Sequence, residues 1–239
     1  MSEKKNYRVG LSLSDINQSL NIELTEEKIS DILKNKNIKF KIVDPSKQFL
    51  YSIKSALSQP YKRGASVLND SPHAFDCSSL VSWAAVEAGF SIPRVSIDQF
   101  VFSKRVDKED LRIGDLIFAN TKEIIHIEGS FFSKILNKEV KEEPIRTETL
   151  EYMPGTKVPE GIDHVGVYMG ENKVIHSSSK NGGVKEEDLT QSRSFQNIIG
   201  YGRIINDLSD RFIIEIPPDL PELRNRENLI KELQKDFGK

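Results

Sequence analysis

One cysteine stands in 239 residues, at position 77. A single thiol closes no internal disulfide, so nothing in the chain requires an oxidising compartment. Excess charge is also missing: 34 basic residues offset 36 acidic ones, for a formal net charge of -2. Such a balance gives no global electrostatic footprint for nucleic acid or an anionic membrane. Long apolar runs are absent as well. None reaches the roughly 20 residues that cross a bilayer, and the first ten residues lack the apolar core of a secretory signal. The expectation is a soluble, cytoplasmic protein, unless an export segment has been removed. There is no internal repeat and no low-complexity segment. What is present is enough to fold: 37% apolar residues supply a core, and the length suits one large domain or two modest ones.

Hydrophobic spacing divides the chain into segments. Residues 8–44 read as a small unit, with Leu11, Ile16, Leu20 and Ile22 leading to a helix capped by Thr25. Ile29, Ile32 and Leu33 give that helix its apolar stripe, and 38–43 alternates like a strand. Residues 49–57 are expected to be helical, and 61–73 to form a polar loop. Residues 77–88 predict a helix with Leu80, Val81, Ala84, Ala85 and Ala88 on one face and Gly89 as its stop. Short strands follow at 116–118, 165–169, 173–178 and 198–205. A helix followed by antiparallel strands is an α+β pattern. Residues 119–160 are rich in lysine and glutamate, with few core signals. The tail offers a strand at 212–216 and an amphipathic helix over about 226–237.

Cys77 falls where that central helix begins, and His164 and His176 fall on one expected hairpin. A thiol attacks as thiolate, so a nucleophilic cysteine needs surroundings that favour the anion. A helix start supplies a positive dipole end. Asp76 can cap free N–H groups there, and the N–H groups around Cys77 and Ser78 can hold an oxyanion. If Gly170-Glu171-Asn172 is the turn, His164 faces Ser178 and His176 lies one diagonal step away on the same face. Val165, Val167 and Met169 then fill the core on the other face. Taken singly, a cysteine or a strand histidine is most often a core or solvated residue. Together they read as nucleophile, base and orienting group. One cysteine and two histidines are also a zinc set, but the helix-start position and a nearby tyrosine favour nucleophilic catalysis without metal or cofactor. His73 and His126 fall in loops and read as solvated.

Four blocks, in order, resemble the NlpC-type cysteine peptidases, which share a papain-like core. They are Phe75-Asp76-Cys77-Ser78-Ser79-Leu80-Val81, Ile92-Pro93-Arg94-Val95-Ser96-Ile97-Asp98-Gln99, Leu111-Arg112-Ile113-Gly114-Asp115-Leu116-Ile117-Phe118, and His164-Val165-Gly166-Val167-Tyr168-Met169-Gly170 through Ile175-His176. The resemblance covers about residues 46–206. It implies a cysteine-bearing helix packed on an antiparallel sheet, and hydrolysis of amide bonds in cell-wall stem peptides, typically between D-glutamate and a diamino acid. It makes Cys77 the nucleophile, His164 the general base and His176 the orienting residue, and sets Tyr61 to help bind the oxyanion. Ser79 stands where the family usually has glycine, a change expected to be tolerated. The loop from Tyr61 to Cys77 and the segment 119–163 are longer than the family's, and the latter is expected to border the cleft. Runner-up readings are a non-catalytic or tRNA-associated binding module, an acyltransferase on the same core, and a delivered toxin of the same chemistry.

The flanks resemble the B-five domain of the phenylalanyl-tRNA synthetase β subunit. Val9-Gly10-Leu11-Ser12-Leu13-Ser14-Asp15-Ile16 and Leu24-Thr25-Glu26-Glu27 match its start, and Ile216-Pro217-Pro218 with Glu227 through Gly238 match its end. The expectation is a small split domain, 1–45 and 208–239, with the peptidase-like domain 46–207 inserted in a hairpin loop. The family's magnesium-binding acidic set falls on Glu222, Asn228, Lys231 and Glu232, and its nearby arginine on Leu220. A lysine and an asparagine in place of carboxylates predict no magnesium there. Such a module would dock a protein or an RNA.

Overall fold

The first and last strands of the chain lie side by side. The computed structural model describes residues 6–21, 23–121, 149–153, 156–159 and 161–236. Expectations that fall on Ile22, His126, Phe237, Gly238 and most of 119–160 lie outside the described residues. The elements run β1 (Tyr7–Ser12), α1 (Leu13–Leu20), α2 (Glu26–Asn35), β2 (Phe40–Val43), α3 (Pro45–Ser55), α4 (Cys77–Glu87), α5 (Ser96–Phe102), β3 (Lys104–Val106) and β4 (Leu116–Ala119). They continue with β5 (Thr149–Met153), β6 (Thr156–Pro159), β7 (His164–Gly170), β8 (Lys173–Ser178), β9 (Gly183–Asp188), β10 (Ile198–Arg203), β11 (Arg211–Ile216) and α6 (Arg226–Gln234).

Two sheets carry most of these strands. In a three-stranded sheet β11 lies between β1 and β2, antiparallel to both. Its core joins Leu11, Ile16, Ile29 and Leu33 from the start of the chain to Phe212, Ile214, Leu229 and Leu233 from the end. Everything between Val43 and Arg211 thus emerges from the β2–β11 pair, whose last partners are those two residues. At the expected acidic set, Glu232 is held by Lys36 at 3.0 Å and by Lys235 at 2.6 Å, the Asn228 side chain donates to the Glu222 carbonyl, and Leu220 packs on the core.

The second sheet has six strands in the order β3-β10-β4-β7-β8-β9, each antiparallel to its neighbours. Helix α4 packs on β7 and β8 through one core of Leu80, Val81, Ala84, Ala85, Val165, Val167 and Ile175. Each large side chain in it contributes about 1.5–3 kcal/mol by leaving water. Ser78, Ser79 and Ser82 are buried too, so α4 is embedded on more than the single face its apolar residues mark. Gly89 at φ 85° ends the helix, and the Phe90 N–H closes back on the Ala85 carbonyl at 2.8 Å.

Several elements differ from the sequence reading. β1, α1, α5, β3 and β9 were not expected, and α3 starts at Pro45 behind an Asp44 cap rather than at residue 49. In the β7–β8 hairpin Glu171 and Asn172 both take positive φ, 47° and 62°, the geometry of a two-residue turn that matches strand twist. The pairs Val167–Ile175 and Tyr168–Val174 set the register.

Candidate active site

The site begins at the α4 N-terminus. Asp76 is the N-cap: its carboxylate accepts from the Ser79 N–H at 2.8 Å, while the Ser79 hydroxyl accepts from the Asp76 N–H at 2.9 Å. This reciprocal cap fixes the first turn, so Ser79 has a bonding role that glycine lacks. Asp76 is buried, and the Arg94 guanidinium pairs with it at 2.5 Å. Burial raises the Asp76 pKa, but Arg94 and the Ser79 N–H outweigh it and hold the carboxyl below its ordinary value. Arg94 also donates to the Ala65 carbonyl at 2.7 Å and the Ser78 hydroxyl at 2.9 Å. Gln99, fully buried, donates to the Ser78 carbonyl at 3.0 Å. The Ser78 hydroxyl bonds Arg94 and Asp76, and both that hydroxyl and the Ser78 backbone N–H reach the sulfur.

The Cys77 sulfur lies 3.9 Å from the Asp163 carbonyl oxygen. The N–H groups of Val165 and Ser78 approach it. The thiol thus sits against the backbone on both sides of His164, at the start of β7. Burial of the sulfur, and then the Asp76 charge, push the thiol pKa up to about 11, with the two N–H groups and the Ser78 hydroxyl acting the other way. The helix start alone does not produce a resting thiolate.

Behind the cysteine is a line of polar side chains. His164 Nε2 and His176 Nδ1 are hydrogen bonded at 2.8 Å. His176 Nε2 and Glu187 Oε2 are bonded at 2.8 Å, and the Ser192 hydroxyl donates to the same oxygen at 2.5 Å. The rings stand perpendicular, and Phe195 packs against both, at centroid distances of 5.2 and 5.0 Å. Gly166 makes this possible, since a Cβ there would strike Val174, Phe195 and His176. Burial, then the neighbouring His176 and Lys180, drive the His164 pKa down to about 3. Burial lowers that of His176 too, against the pull of Glu187.

Tyr61 is half-buried and bridges to Phe75 in the strand-like stretch before the helix. Burial first, then the charges of Cys77 and Asp76, raise its pKa. His73 is exposed in the loop before Phe75. The structure therefore gathers Tyr61, Asp76, Cys77, Ser78, His164 and His176 in one place. The long segment beyond β4 also starts and ends there: the Thr121 N–H and hydroxyl bond the Asp163 carboxylate at 2.8 and 3.0 Å, and Ala119 pairs with His164. Among the described residues no group of three or more histidine, cysteine or acidic side chains is arranged to hold a metal ion, and no helix is long and apolar enough to cross a membrane.

Residues 58–151 match the model of the NlpC/P60 family, a stretch that holds Tyr61 and Cys77 and ends before His164. The bifunctional muramidase/DL-endopeptidase CwlT of Bacillus subtilis (strain 168) is 26% identical over 146 residues, 61% of this chain and 32% of that protein. Probable endopeptidase Cgl2188 of Corynebacterium glutamicum is 29% identical over 136 residues, 57% of this chain and 44% of that one. These matches support an NlpC/P60-family domain. The chain spans less than half the length of either relative. Among solved structures, an NLP/P60-family protein described as similar to lipoprotein, from Staphylococcus aureus subsp. aureus Mu50, aligns with TM-score 0.46 and 25% identity, covering 68% of this chain and 42% of that one.

Four residues at the site are not reached by sequence reasoning: Arg94, Gln99, Glu187 and Ser192. Arg94 and Gln99 lie in the quoted Ile92–Gln99 block, so their block was seen but not their contacts. Glu187 and Ser192 lie on a strand and turn that no hydrophobic pattern marked.

Proposed function

We propose that this chain is a cysteine hydrolase that cleaves amide bonds in peptidoglycan stem peptides through a thioester. The observation that carries the reading is the Cys77 thiol at a capped helix start beside a buried, hydrogen-bonded His164–His176 pair. The endopeptidases among the relatives support the substrate class.

At rest the pair is thiol and neutral imidazole, given pKa values of about 11 and about 3. When substrate binds, His164 takes the thiol proton as the sulfur attacks the carbonyl carbon and a C–S bond forms. The negative charge moves to the carbonyl oxygen, where backbone N–H groups at the α4 start and the Tyr61 hydroxyl stabilise it. Collapse breaks the C–N bond, and His164 gives its proton to the leaving amine. Water, deprotonated by His164, then attacks the thioester. The C–S bond breaks, the acid is released, and Cys77 regains its proton. His176 holds the His164 ring throughout. No metal or cofactor enters these steps.

The unit of residues 7–43 and 211–234 serves, in this reading, as a B-five-like docking module rather than part of the chemistry.

The test is mass spectrometry of purified muropeptides incubated with wild type and Cys77→Ala. Cleavage by wild type alone supports the reading and names the bond. A new acyl group on the product means a transferase on the same core. Muropeptides left intact by a wild type that still binds them mean a binding module, and the hydrolase reading falls.

A further inference from the structure

A neutral imidazole has one N–H donor and one lone pair. Two linked imidazoles therefore form a chain with a direction, and the group at its far end chooses that direction. Here the far end is Glu187. It sits on β9, whose Lys185 pairs directly with His176, so Glu187 is the diagonal neighbour on the same face. Burial raises its pKa, but the Ser192 and His176 hydrogen bonds outweigh this and keep it below the ordinary value. An ionised carboxylate only accepts.

Each tautomer follows from this. His176 Nε2 carries the hydrogen it donates to Glu187 Oε2, across 2.8 Å. Burial keeps His176 neutral, so its Nδ1 bears a lone pair. That lone pair accepts from His164 Nε2–H, again across 2.8 Å. His164 Nδ1 is then the free lone pair, and a base needs that nitrogen. Among the described residues no other charged group competes for the direction: Lys180 acts on His164 through space, and Asp76 and Arg94 are paired to each other on the Cys77 side.

We propose that Glu187, held by the Ser192 hydroxyl, is a fourth, positioning residue that fixes the tautomers of His176 and His164 and so aims the His164 Nδ1 lone pair at the Cys77 thiol. The proposal rests on reading Cys77 and His164 as nucleophile and base. A glutamine at 187 keeps the shape but presents either an oxygen or an NH₂ group, so it releases the direction of the chain. The carboxylate in other active sites that orients an imidazole shows the scale of such an effect.

The experiment has two arms on the full chain. In the first, ¹⁵N NMR reads the protonated nitrogen of each imidazole in wild type, Glu187→Gln and Ser192→Ala. Wild type is expected to show His176 as the Nε2–H form and His164 as the Nε2–H form, and Glu187→Gln a mixture. In the second, turnover of a muropeptide is expected to fall about 10- to 100-fold in kcat for Glu187→Gln with KM unchanged, and less for Ser192→Ala. A wild type with no turnover would count against the hydrolase reading and leave the NMR arm to decide this one. Tautomers unchanged in Glu187→Gln, or kcat unchanged in it, would overturn the proposal. Should Glu187→Gln fail to fold, the wild-type spectrum decides alone, and a neutral His176 or His164 protonated at Nδ1 in it would overturn the proposal.

Discussion

Gly10 and Gly89 meet backbone to backbone. Gly10 is in the middle of β1 in the terminal sheet, and Gly89 follows the end of the cysteine-bearing helix. A Cβ at Gly10 would overlap the Gly89 carbonyl and Cα. Around this point Arg8 pairs with Glu87, and the Arg211 guanidinium lies 4.0 Å over the Phe90 ring. The terminal sheet is thus pressed directly against the base of the helix whose other end carries Cys77.

Gly10→Ala should therefore be costly. Backbone cannot move aside as a flexible side chain does, so the expected loss is about 2–3 kcal/mol, at the upper end of ordinary overpacking. Chemical denaturation of the variant checks it. Stability equal to wild type would mean that the two units do not press together at this point.

The only thiol in the chain gives a clean titration. Alkylation of Cys77 by iodoacetamide should be slow at neutral pH and rise without a plateau toward about pH 11, because burial and the Asp76 charge oppose the thiolate. Asp76→Asn keeps a competent helix cap but removes that charge, and should speed alkylation at pH 8. A plateau already reached below pH 7 would instead mean a preformed thiolate–imidazolium pair.

Acid should weaken the fold before any carboxylate titrates. His164 is neutral in the folded state down to about pH 3, against 6.5 for a free histidine. The unfolded chain therefore binds the proton first, and the stability present above pH 6.5 drains away as pH falls from 6.5 toward 3. At pH 5 this amounts to about 2 kcal/mol, or ~5 °C in the unfolding temperature. His164→Asn should reduce that slope in thermal melts between pH 7 and 5. An identical slope in the variant would show that His164 is not the group responsible.

What was legible in the sequence follows physical lines. The β7–β8 hairpin could be read because Glu171 and Asn172 form a short polar turn between two apolar strands, and its register then places His164 and His176 on one face. Helix α4 could be read because Leu80, Val81, Ala84 and Ala85 repeat at helical spacing before Gly89. Helix α1 could not: Ile16 is its one buried residue, too little for a periodic signal. β9 alternates weakly, Gly183-Val184-Lys185-Glu186-Glu187-Asp188, with only its first two residues buried. Without its register no argument reaches Glu187, whose partner His176 is eleven residues back across a strand. Arg94 was invisible as an ion-pair partner for the same reason. Its contact with Asp76 spans eighteen positions and depends on how the Pro93 loop folds over the helix start.

That ion pair yields the last prediction. Asp76 is buried and held ionised, and among the described residues Arg94 is its one cationic partner in an ion pair. Removing Arg94 leaves a buried carboxylate without a counter-charge, beside the thiol. A fully buried pair broken this way costs about 3–5 kcal/mol. The Arg94 side chain is about one-third exposed, so solvent screening lowers the expectation for Arg94→Ala to about 2–3 kcal/mol. Arg94→Lys should recover only part of this, since one ammonium cannot reproduce the planar fork that reaches Asp76, Ser78 and Ala65 together. The same variants should also shift Cys77, because an Asp76 charge no longer shared with Arg94 acts more strongly on the sulfur and raises its pKa further. Denaturation and iodoacetamide titration on the three proteins test both effects. Full stability and unchanged alkylation in Arg94→Ala would mean that the pair neither braces the helix start nor screens the thiol.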